Sequence, residues 1–346
     1  MNDSNLQIHH LDATNAVRWD AFVDACPEAT FFHRAGWKQV IDDIFGHPTF
    51  FLYAELEGRI RGVLPLAQVK SWLFGHSLVA LPFCSYGGVA ALDAQAAQAL
   101  EQRAIEIAKH LDVDHLEMRN LAQRHADWPA QNLYFTFRKP MIQELDDAMR
   151  VIPVKRRNMV RKGVKLGLSS TIETPLDWFF DLYAQNVRQH GTPALPKRYF
   201  AKILEVFGQD CEILTVLNAQ RQPVSTIMTF YFRDEAMAYY AGETPVARDL
   251  AANDYKYWAL LTRAKERGSR LFDFGRGKQG TGSYEFKKLW GFEPQPLHYE
   301  YQLLRSREVP QNNPMNPKYR TLIALWKRMP IQLCNWLGPY LVRNLG

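Results

Sequence analysis

The residues best suited to chemistry lie in the segment LFDFGRGKQGTGSYEFKKLWGFEP, from 271 to 294. A strand-like apolar run ends at Phe274, and a loop rich in glycine and basic residues follows. Glycines let backbone N–H groups approach an anion, and a helix N-terminus adds a favourable dipole. We therefore predict that Arg276, Gly277 and Lys278 bind an anionic group or an oxyanion formed during a reaction. The alternative is a mobile surface turn.

The glycines of this loop also fit a nucleotide-binding pattern. Gly275, Gly277 and Gly280 have the spacing of the GxGxxG motif. A dinucleotide-binding unit needs a second parallel strand with an acidic residue at its end, but here Gly291 and Pro294 cut the helix short. No Lys-Ser or Lys-Thr pair follows Gly280, so the loop is not a Walker A loop. HExxH and GxSxG motifs and a Cys/His/Asp spacing are also missing from the sequence, so metal-dependent or serine hydrolysis has no support.

The helix expected after the loop carries two adjacent lysines. Phe286, Leu289 and Trp290 share one face at helical spacing, which predicts a stripe packed on the core. Lys287 and Lys288 lie off that stripe, so at least one of them should be near the mouth of the loop. A lysine beside a carbonyl under attack can stabilise the developing negative charge. The alternative for each is an ordinary solvated lysine.

The sequence contains the same arrangement of elements twice. Residues 50–69 and 212–230 both read as two apolar runs joined by a turn. Each is followed by a further strand, a loop, a helix and a short strand, and Glu117 aligns with Asp273. This order predicts two copies of one α/β unit, with a boundary near 139–152.

A basic run opens the second copy. On a helix, Arg157, Arg161 and Lys165 share one face, which forms either an anion-binding surface or a solvated basic face. Two aromatic residues of the same half are further candidates for substrate contact. Tyr240 ends a strand beside the expected cleft, and Tyr255 lies in the first turn of a helix; the alternative for Tyr240 is an aromatic core.

The composition describes a folded, mildly basic protein. The chain has 346 residues, about two domains, with 47% hydrophobic residues and a formal net charge of +6. That charge permits an anionic partner without demanding one. The four cysteines are far apart, which predicts reduced thiols rather than a disulfide framework or a zinc site. The sequence shows no signal peptide and no apolar run long enough to span a membrane, so we expect a cytoplasmic protein.

Five segments together resemble the FemAB family: VKRRNMVRKG, HGTPALPKRYF, AYYAGETP, ANDYKYW and FDFGRGKQGTGSYEFKKLWGFEP. This family contains peptidoglycan-bridge aminoacyltransferases built from two GNAT-like domains. The sequence is most similar to a branch associated with exosortase/PEP-CTERM systems and exopolysaccharide loci, which is also classed with BioF2-like acetyltransferases. The resemblance implies an α/β (α+β) fold with two tandem GNAT-like domains, 1–140 and 141–296. It also implies that 297–346 packs back on the first domain.

The resemblance further implies acyl transfer to an amine of a cell-envelope or exopolysaccharide precursor, which is a small-molecule or lipid-linked acceptor. The donor is a co-substrate, either aminoacyl-tRNA or acyl-CoA, and no cofactor is tightly bound. Carried over by motif, Phe286 and Lys287 lie near the reacting carbonyl, with Lys287 as the stabilising charge. Arg276 then lines the cleft, and Tyr240 contacts substrate.

In the first domain, Trp37 and Lys38 resemble a segment that supplies a phosphate-binding lysine. Two departures from the family leave the donor open: the long coiled-coil insertion of some tRNA-using members is missing, and the acetyl-CoA signature of GNAT enzymes is not clearly present. The alternative function is a non-catalytic protein of the same fold that binds a lipid- or nucleotide-linked precursor.

The tail, residues 315–346, combines basic with large apolar residues, and Pro330 is expected to split it into two short helices. Cationic amphipathic helices bind anionic membranes, so the tail predicts peripheral contact at the inner face of the membrane. The alternative is docking on the first domain.

Overall fold

The structure is a computed structural model that describes residues 6–71, 74–141, 148–310 and 320–344. These residues form two compact units. The first contains 6–134, 296–310 and 343–344, and the second contains 135–295 and 320–342, each with the gaps just given.

The first part of the chain forms three α-helices and seven strands within the described residues. They are β1 (Gln7–His10), α1 (Ala16–Ala25), α2 (Gly36–Phe45), β2 (Thr49–Leu56), β3 (Arg59–Ser71), β4 (Gly75–Ala80), β5 (Ala90–Ala91), α3 (Ala94–His110), β6 (His115–Asn120) and β7 (Ala130–Gln131).

The remaining elements continue along the chain to its end. They are β8 (Tyr134–Thr136), β9 (Arg138–Pro140), α4 (Val154–Lys165), β10 (Ser169–Thr171), α5 (Leu176–His190), α6 (Lys197–Phe207), β11 (Cys211–Leu217), β12 (Pro223–Phe232), β13 (Glu235–Glu243), α7 (Ala252–Glu266), β14 (Leu271–Asp273), β15 (Gly277–Lys278), α8 (Gly282–Leu289), β16 (Gln295–Pro296), β17 (His298–Leu303), α9 (Arg320–Arg328) and α10 (Ile331–Val342).

Each unit is built on a sheet with the same strand order. The first sheet runs β1-β2-β3-β4-β6-β17-β7, with β5 beside β3, and the second runs β10-β11-β12-β13-β14-β9. In both, four antiparallel strands are followed by one parallel pair, β4 with β6 and β13 with β14, and then by an antiparallel strand. The long connection that a parallel pair requires contains α3 in the first unit and α7 in the second. The predicted repetition is confirmed.

The two parallel pairs end at equivalent acidic residues. Glu117 is the last residue of β6 that pairs with β4, opposite Val79, and Asp273 is the last residue of β14 that pairs with β13, opposite Met237. Each lies within 4 Å of an arginine: Arg119 Nε is 2.6 Å from Glu117, and Arg138 Nε is 3.8 Å from Asp273. The alignment of Glu117 with Asp273 made on the sequence therefore holds in three dimensions.

Apolar side chains fill the space between each sheet and its crossover helix. In the first unit the alanine-rich face of α3 packs on β2, β3 and β6. In the second unit α7 packs on β11 and β12, and its first turns are buried on nearly all sides. Strand β12 reads PVSTIMTFYF, and its β-branched and aromatic residues suit a fully buried central strand. All four cysteines are buried and free.

The division between the units differs from the expected boundary. Strand β9 pairs with β14, so the chain joins the second unit from residue 135. Strand β17 pairs with β6 of the first sheet, as part of the expected return of 297–346. However, α9 and α10 contact α5, and 320–342 therefore belongs to the second unit rather than the first. The reason is a contact between distant parts of the sequence. Ile323 of α9 packs closely on Gly191, and Gly338 of α10 packs closely on the backbone of Ala194, both just after α5.

Other expectations have simple outcomes. Pro330 does separate two helices, α9 and α10. Residues 142–147, within the expected boundary region of 139–152, lie outside the described residues. Across the described ranges, no helix has both the length and the apolar character that crossing a bilayer requires. In the same ranges, no group of His, Cys, Asp and Glu side chains is arranged to hold a metal ion.

Candidate functional site

The site begins where β13 and β14 separate. The two strands are paired over three positions, the last joining Met237 to Asp273, and β13 then continues to Glu243 while the chain after β14 turns away. The turn is at Gly275, whose φ is +72°. A Cβ on Gly275 would lie 2.4 Å from the carbonyl oxygen of Ala238, so the loop backbone lies directly against β13. Ligands of such sheets bind outside the carboxyl ends of parallel strands, which makes this loop the candidate site.

A buried carboxylate holds the loop from below. Asp273 is fully buried, and its Oδ1 accepts hydrogen bonds of 2.7 Å from the Gly275 N–H and from the Thr136 hydroxyl. Arg138 donates from Nε and Nη2 to the two carboxylate oxygens of Glu235, at 3.2 and 2.7 Å. Burial, together with the negative charge of Asp273, raises the pKa of Glu235 to about 7, and Arg138 opposes that rise. The loop is thus anchored to a cluster of charged groups within the second unit.

A buried ammonium holds the same loop from the other side. Helix α8 starts at a Thr281 cap, whose hydroxyl accepts from the Tyr284 N–H. Further along this helix, Lys287 is 4% exposed. Its Nζ donates to the carbonyl oxygens of Gly275, at 2.8 Å, and Arg276, at 2.9 Å, and lies 5.3 Å from the centre of the Phe137 ring.

Burial sets the charge state of Lys287. Desolvation lowers the pKa of its ammonium to about 7, opposed by Asp273 and assisted by Arg276. An ammonium has three protons, and two are directed at the loop carbonyls. The side chain therefore fixes the loop conformation, and it changes charge near neutral pH. The predicted proximity of Lys287 to the glycine loop is observed, whereas Lys288 is on the exposed side of α8.

The remaining loop residues differ in exposure. Gly277 is buried in β15, and a Cβ there would lie 2.8 Å from the Phe137 ring. Lys278 is half-buried, and burial lowers its pKa. Arg276 is exposed. All three lie in the short segment between β14 and α8.

The aromatic stripe of α8 is only partly as predicted. Phe286 is half-buried and packs on Tyr257 and Trp290, and Trp290 belongs to the core. Leu289, which the helical spacing placed on the core, is 55% exposed. Of the three predicted positions, 286 and 290, which are four residues apart, face the core, and Tyr284 on the same helix is also a core residue.

Tyr240 lies in a separate aromatic cluster. Its hydroxyl hydrogen-bonds to the hydroxyl of Tyr199 at 2.9 Å, and its ring packs edge-on against Tyr183 and Phe200. These contacts join β13 to α5 and α6. They account for Tyr240 as a core residue whose half-buried ring still reaches the surface.

Tyr255 lines a different concavity. A cavity of about 420 Å³ lies among β10, β11 and α7, and Tyr255 and Trp258 form part of its wall. Lys287, Arg276 and Lys278 are not among its lining residues.

The basic run forms α4, and its arginines have different environments. Arg157 is half-buried and donates to the Ile152 carbonyl, five residues earlier in the chain. Arg161 is exposed, as are Lys162 and Lys165. The opposite face of α4 is buried against α7 through Gly163, whose added Cβ would meet Tyr255. The exposed residues thus form one basic face.

Trp37 and Lys38, the candidate residues of the first unit, both form hydrogen bonds to neighbouring residues of that unit. Trp37 is 1% exposed, and its indole N–H donates to the Phe31 carbonyl at 3.1 Å. The Nζ of Lys38 binds the Asp42 carboxylate at 2.6 Å and the Thr49 hydroxyl at 3.0 Å. Both residues therefore stabilise α2 and its surroundings, and these contacts explain them without a phosphate.

Several charged residues of the second unit escape sequence reasoning. Asp273 is visible in the sequence only as a repeat position, and Arg138 and Glu235 give no signal because their contact joins distant segments. Lys256 is 2% exposed on α7, where burial lowers its pKa to about 8 against the opposing charge of Glu243. The one available signal is that Lys256 lies within an aromatic run, DYKYW, which indicates a buried position.

Comparisons with known proteins concern the fold of the chain. Residues 149–288 match the family model described as an acetyltransferase (GNAT) domain. No curated protein sequence matches the chain. Among solved structures, FemX has a TM-score of 0.64 at 15% identity, with 92% of this chain and 100% of FemX covered.

Two further structures share the arrangement. L-PGS from Bacillus licheniformis has a TM-score of 0.59 at 12% identity, and the alignment covers 92% of this chain and 97% of the L-PGS chain. A tandem GNAT protein from the clavulanic acid biosynthesis pathway has a TM-score of 0.54 at 15% identity, and the alignment covers 88% of this chain and 100% of that protein's chain. The chain therefore has the tandem GNAT fold, and the matched domain is the unit that contains Lys287.

Proposed function

We propose that this protein is an N-acyltransferase of the FemAB type. It transfers an activated acyl or aminoacyl group to an amine of a cell-envelope or exopolysaccharide precursor. The observation that carries the proposal is the buried Lys287 ammonium, held against the loop at the end of β14. The match of residues 149–288 to a GNAT acetyltransferase domain and the similarity of the fold to FemX support it.

The reaction needs positioning and charge stabilisation more than covalent chemistry. The amine nitrogen attacks the acyl carbon, and a C–N bond forms. The C–O bond of an ester donor, or the C–S bond of a thioester donor, then breaks. The proton lost by the amine is balanced by the proton gained by the leaving hydroxyl or thiol. The oxyanion of the tetrahedral intermediate is the species that a positive site must stabilise.

Lys287 contributes to this stabilisation in two ways. It fixes the 275–276 backbone through two hydrogen bonds, which preorganises the loop. Its positive charge also attracts the oxyanion, in a site where a low dielectric strengthens the interaction. Arg276 and Lys278 on the same turn bind the anionic part of a substrate, and Phe286 supports α8 behind them.

The donor is either acyl-CoA or aminoacyl-tRNA. Each has phosphates, and the exposed basic face of α4, including Arg161, offers them counter-charge. The match to a GNAT acetyltransferase domain favours acyl-CoA, and the motif resemblance to the FemAB family favours aminoacyl-tRNA. The acceptor class rests on the resemblance of the motifs to the envelope- and exopolysaccharide-associated branch.

A transfer assay with matched lysine variants tests the proposal. Purified protein is first screened by thermal shift against CoA, acyl-CoA, charged tRNA and UDP-sugars, because a bound ligand raises the melting temperature. The responding donor is then used in a transfer assay. Lys287→Met should lower kcat ~10²-fold or more, as expected for loss of a stabilising donor. Lys288→Met, on the exposed side of α8, is the control.

The outcomes separate the hypotheses. A rate for Lys287→Met within about threefold of wild type removes Lys287 from catalysis, because loss of one such donor typically costs ~10²-fold. Stabilisation by a sugar-linked precursor alone, without any response to a donor, identifies a binding protein instead of an enzyme. If Arg161 contacts the donor phosphates, Arg161→Ala should raise the KM of the donor without changing kcat.

A further inference from the structure

The C-terminal helices α9 and α10 are docked through one face only. Ile323 fills the space beside Gly191, where an added Cβ would lie 2.4 Å from its Cγ2. Arg188 Nη1 donates to the Met329 carbonyl at 2.8 Å. Gly338 lies against the backbone of Ala194 so closely that a Cβ would be 3.0 Å from the carbonyl oxygen. These contacts fix both helices on the second unit.

The opposite face of the two helices is apolar and exposed. Thirteen large hydrophobic side chains are exposed in the described part of the chain, and five of them lie on these helices, including both aromatic ones. They are Leu322 (62%), Leu325 (60%), Leu333 (40%), Trp336 (64%) and Tyr340 (61%). We call these five the outer face. The residues that dock the helices are different, so docking does not explain the outer face.

Helical spacing makes the outer face continuous on each helix. Leu322 and Leu325 are three residues apart on α9, and Leu333, Trp336 and Tyr340 follow at three and four residues on α10. The centroids of the Trp336 and Tyr340 rings are 6.3 Å apart, and the two rings pack edge to face. An apolar surface of this kind in a folded protein marks an interaction site.

The charge of the tail selects the partner. From residue 309 to 346 the sequence contains five basic residues and no Asp or Glu. Lys327 and Arg328 are exposed at the end of α9, directly after the leucines of the outer face. Such a surface attracts anionic lipid headgroups. A second copy of the chain would bring like charges together, which opposes self-association through this face.

We propose that the outer face binds the surface of an anionic membrane. The leucines enter the acyl region, and the two aromatic rings lie at the headgroup level, where tryptophan and tyrosine are enriched. The basic residues remain among the lipid phosphates. This inference is independent of the proposed acyl transfer, because it uses no residue of the loop at the end of β14.

Vesicle co-sedimentation of the full chain tests the proposal. The protein is mixed at low salt with phosphatidylcholine vesicles, with or without phosphatidylglycerol. It should sediment with the anionic vesicles only, and less at high salt. Trp336→Ser/Tyr340→Ser should weaken binding by at least ~10-fold, because each lost apolar side chain removes buried area. Val17→Ser/Val246→Ser, which removes two exposed apolar side chains elsewhere, should bind like wild type.

A charge pair completes the design. Lys327→Glu/Arg328→Glu should abolish binding to anionic vesicles, whereas Lys109→Glu/Arg59→Glu, at exposed positions elsewhere and with the same net charge, should retain it. Thermal melts check that each variant is folded. Three results overturn the proposal: no binding of wild type to anionic vesicles, equal loss in both charge variants, or a concentration-dependent dimer that the Trp336→Ser/Tyr340→Ser variant abolishes. An acidic protein partner would likewise replace the membrane if it bound while vesicles did not.

Discussion

Asp273 and Lys287 bind the two backbone polar groups of the same residue, Gly275. The Asp273 carboxylate accepts the N–H of Gly275 at 2.7 Å, and the Lys287 ammonium donates to the C=O of Gly275 at 2.8 Å. A negative and a positive side chain thus fix a residue whose φ of +72° only glycine adopts easily. Because both charges are buried, the loop keeps one conformation, and a change at either side chain should alter it in a measurable way.

The first prediction concerns Gly275 itself. An alanine there must adopt a left-handed backbone, at a cost of about 1–2 kcal/mol. Its Cβ would also meet the Ala238 carbonyl at 2.4 Å, which adds a further ~1–3 kcal/mol of overpacking. Gly275→Ala should therefore lower the free energy of unfolding, measured by urea denaturation, and reduce transfer activity strongly.

Gly280 provides the matched control for Gly275. Its φ is +81°, but nothing lies within 4 Å of an added Cβ. Gly280→Ala should show the backbone cost alone, so the difference between the two variants measures the contact with β13. Equal losses in the two variants would mean that the loop does not press against β13 in solution.

The second prediction follows from the buried lysines and concerns stability against pH. The folded-state pKa of Lys287 is about 7, below the ordinary value of 10.5. Between these values the unfolded chain binds a proton that the folded chain has released, so the free energy of unfolding rises with pH above about 7. Below pH 7 both states are protonated, and the pH dependence from this group disappears.

Denaturation curves of lysine variants at several pH values check this sign. In Lys287→Met, the free energy of unfolding should lack the part of its rise with pH that begins near pH 7. Lys256→Met should lose a part that begins near pH 8, where burial places the pKa of Lys256. Lys288→Met should leave the curve unchanged. An unaltered rise in Lys287→Met would show that its ammonium is not desolvated.

The third prediction concerns Asp273. Its negative charge raises the pKa of Lys287 against the effect of burial. Asp273→Asn keeps an oxygen that accepts the Gly275 N–H but removes the charge, so the pKa of Lys287 should fall further below 7. If the charged ammonium is needed for transfer, the basic limb of the kcat profile should move to lower pH. Asp249→Asn, at an exposed position of the same unit, is the control. Identical pH profiles for the two variants would show that the charge of Asp273 does not affect the pKa of Lys287.

The sequence predicts the elements whose signals are local. The repeated strand order, the helices α4 and α7 and the break at Pro330 follow from alternation, helical spacing and turn residues, all of which act over a few positions. The glycine loop and the lysine behind it are found for the same reason. Lys287 is only 11 or 12 residues from the carbonyls that it binds.

The features that sequence reasoning misses depend on distant contacts. The return of 297–346 to the first domain is implied by the family resemblance, but the pairing of β17 with β6 has no local signal: a hydrogen bond between these strands joins Asn120 to Glu300 across 180 residues. Arg138 likewise binds Glu235 across 97 residues. Trp37 lies in a segment that resembles a binding motif, but the contact of its indole with Phe31 makes it part of the core. Lys287 and Lys288 are equivalent by pattern, and only the path of the loop decides which of the two is buried. Pairing over such separations leaves no periodicity in the sequence.

The last prediction concerns a buried ion pair of the second unit. Arg156, on α4, contacts the Asp254 carboxylate on α7 at 3.2 Å, with side-chain exposures of 19% and 7%. Burial raises the pKa of Asp254, and Arg156 opposes that rise. Arg156→Met should cost about 3 kcal/mol, because it leaves a buried carboxylate without its charged partner.

The double variant and the pH dependence test the cause of that loss. Arg156→Met/Asp254→Asn removes both charges, so urea denaturation should show a smaller loss than for Arg156→Met alone. With Arg156 gone, the pKa of Asp254 in the folded state rises further above its unfolded value. The folded chain then binds more protons as the pH falls, so the loss caused by Arg156→Met should shrink between neutral and mildly acidic pH. A loss that is independent of pH, and additive with that of Asp254→Asn, would show that Arg156 acts through packing of its alkyl chain and not through its charge.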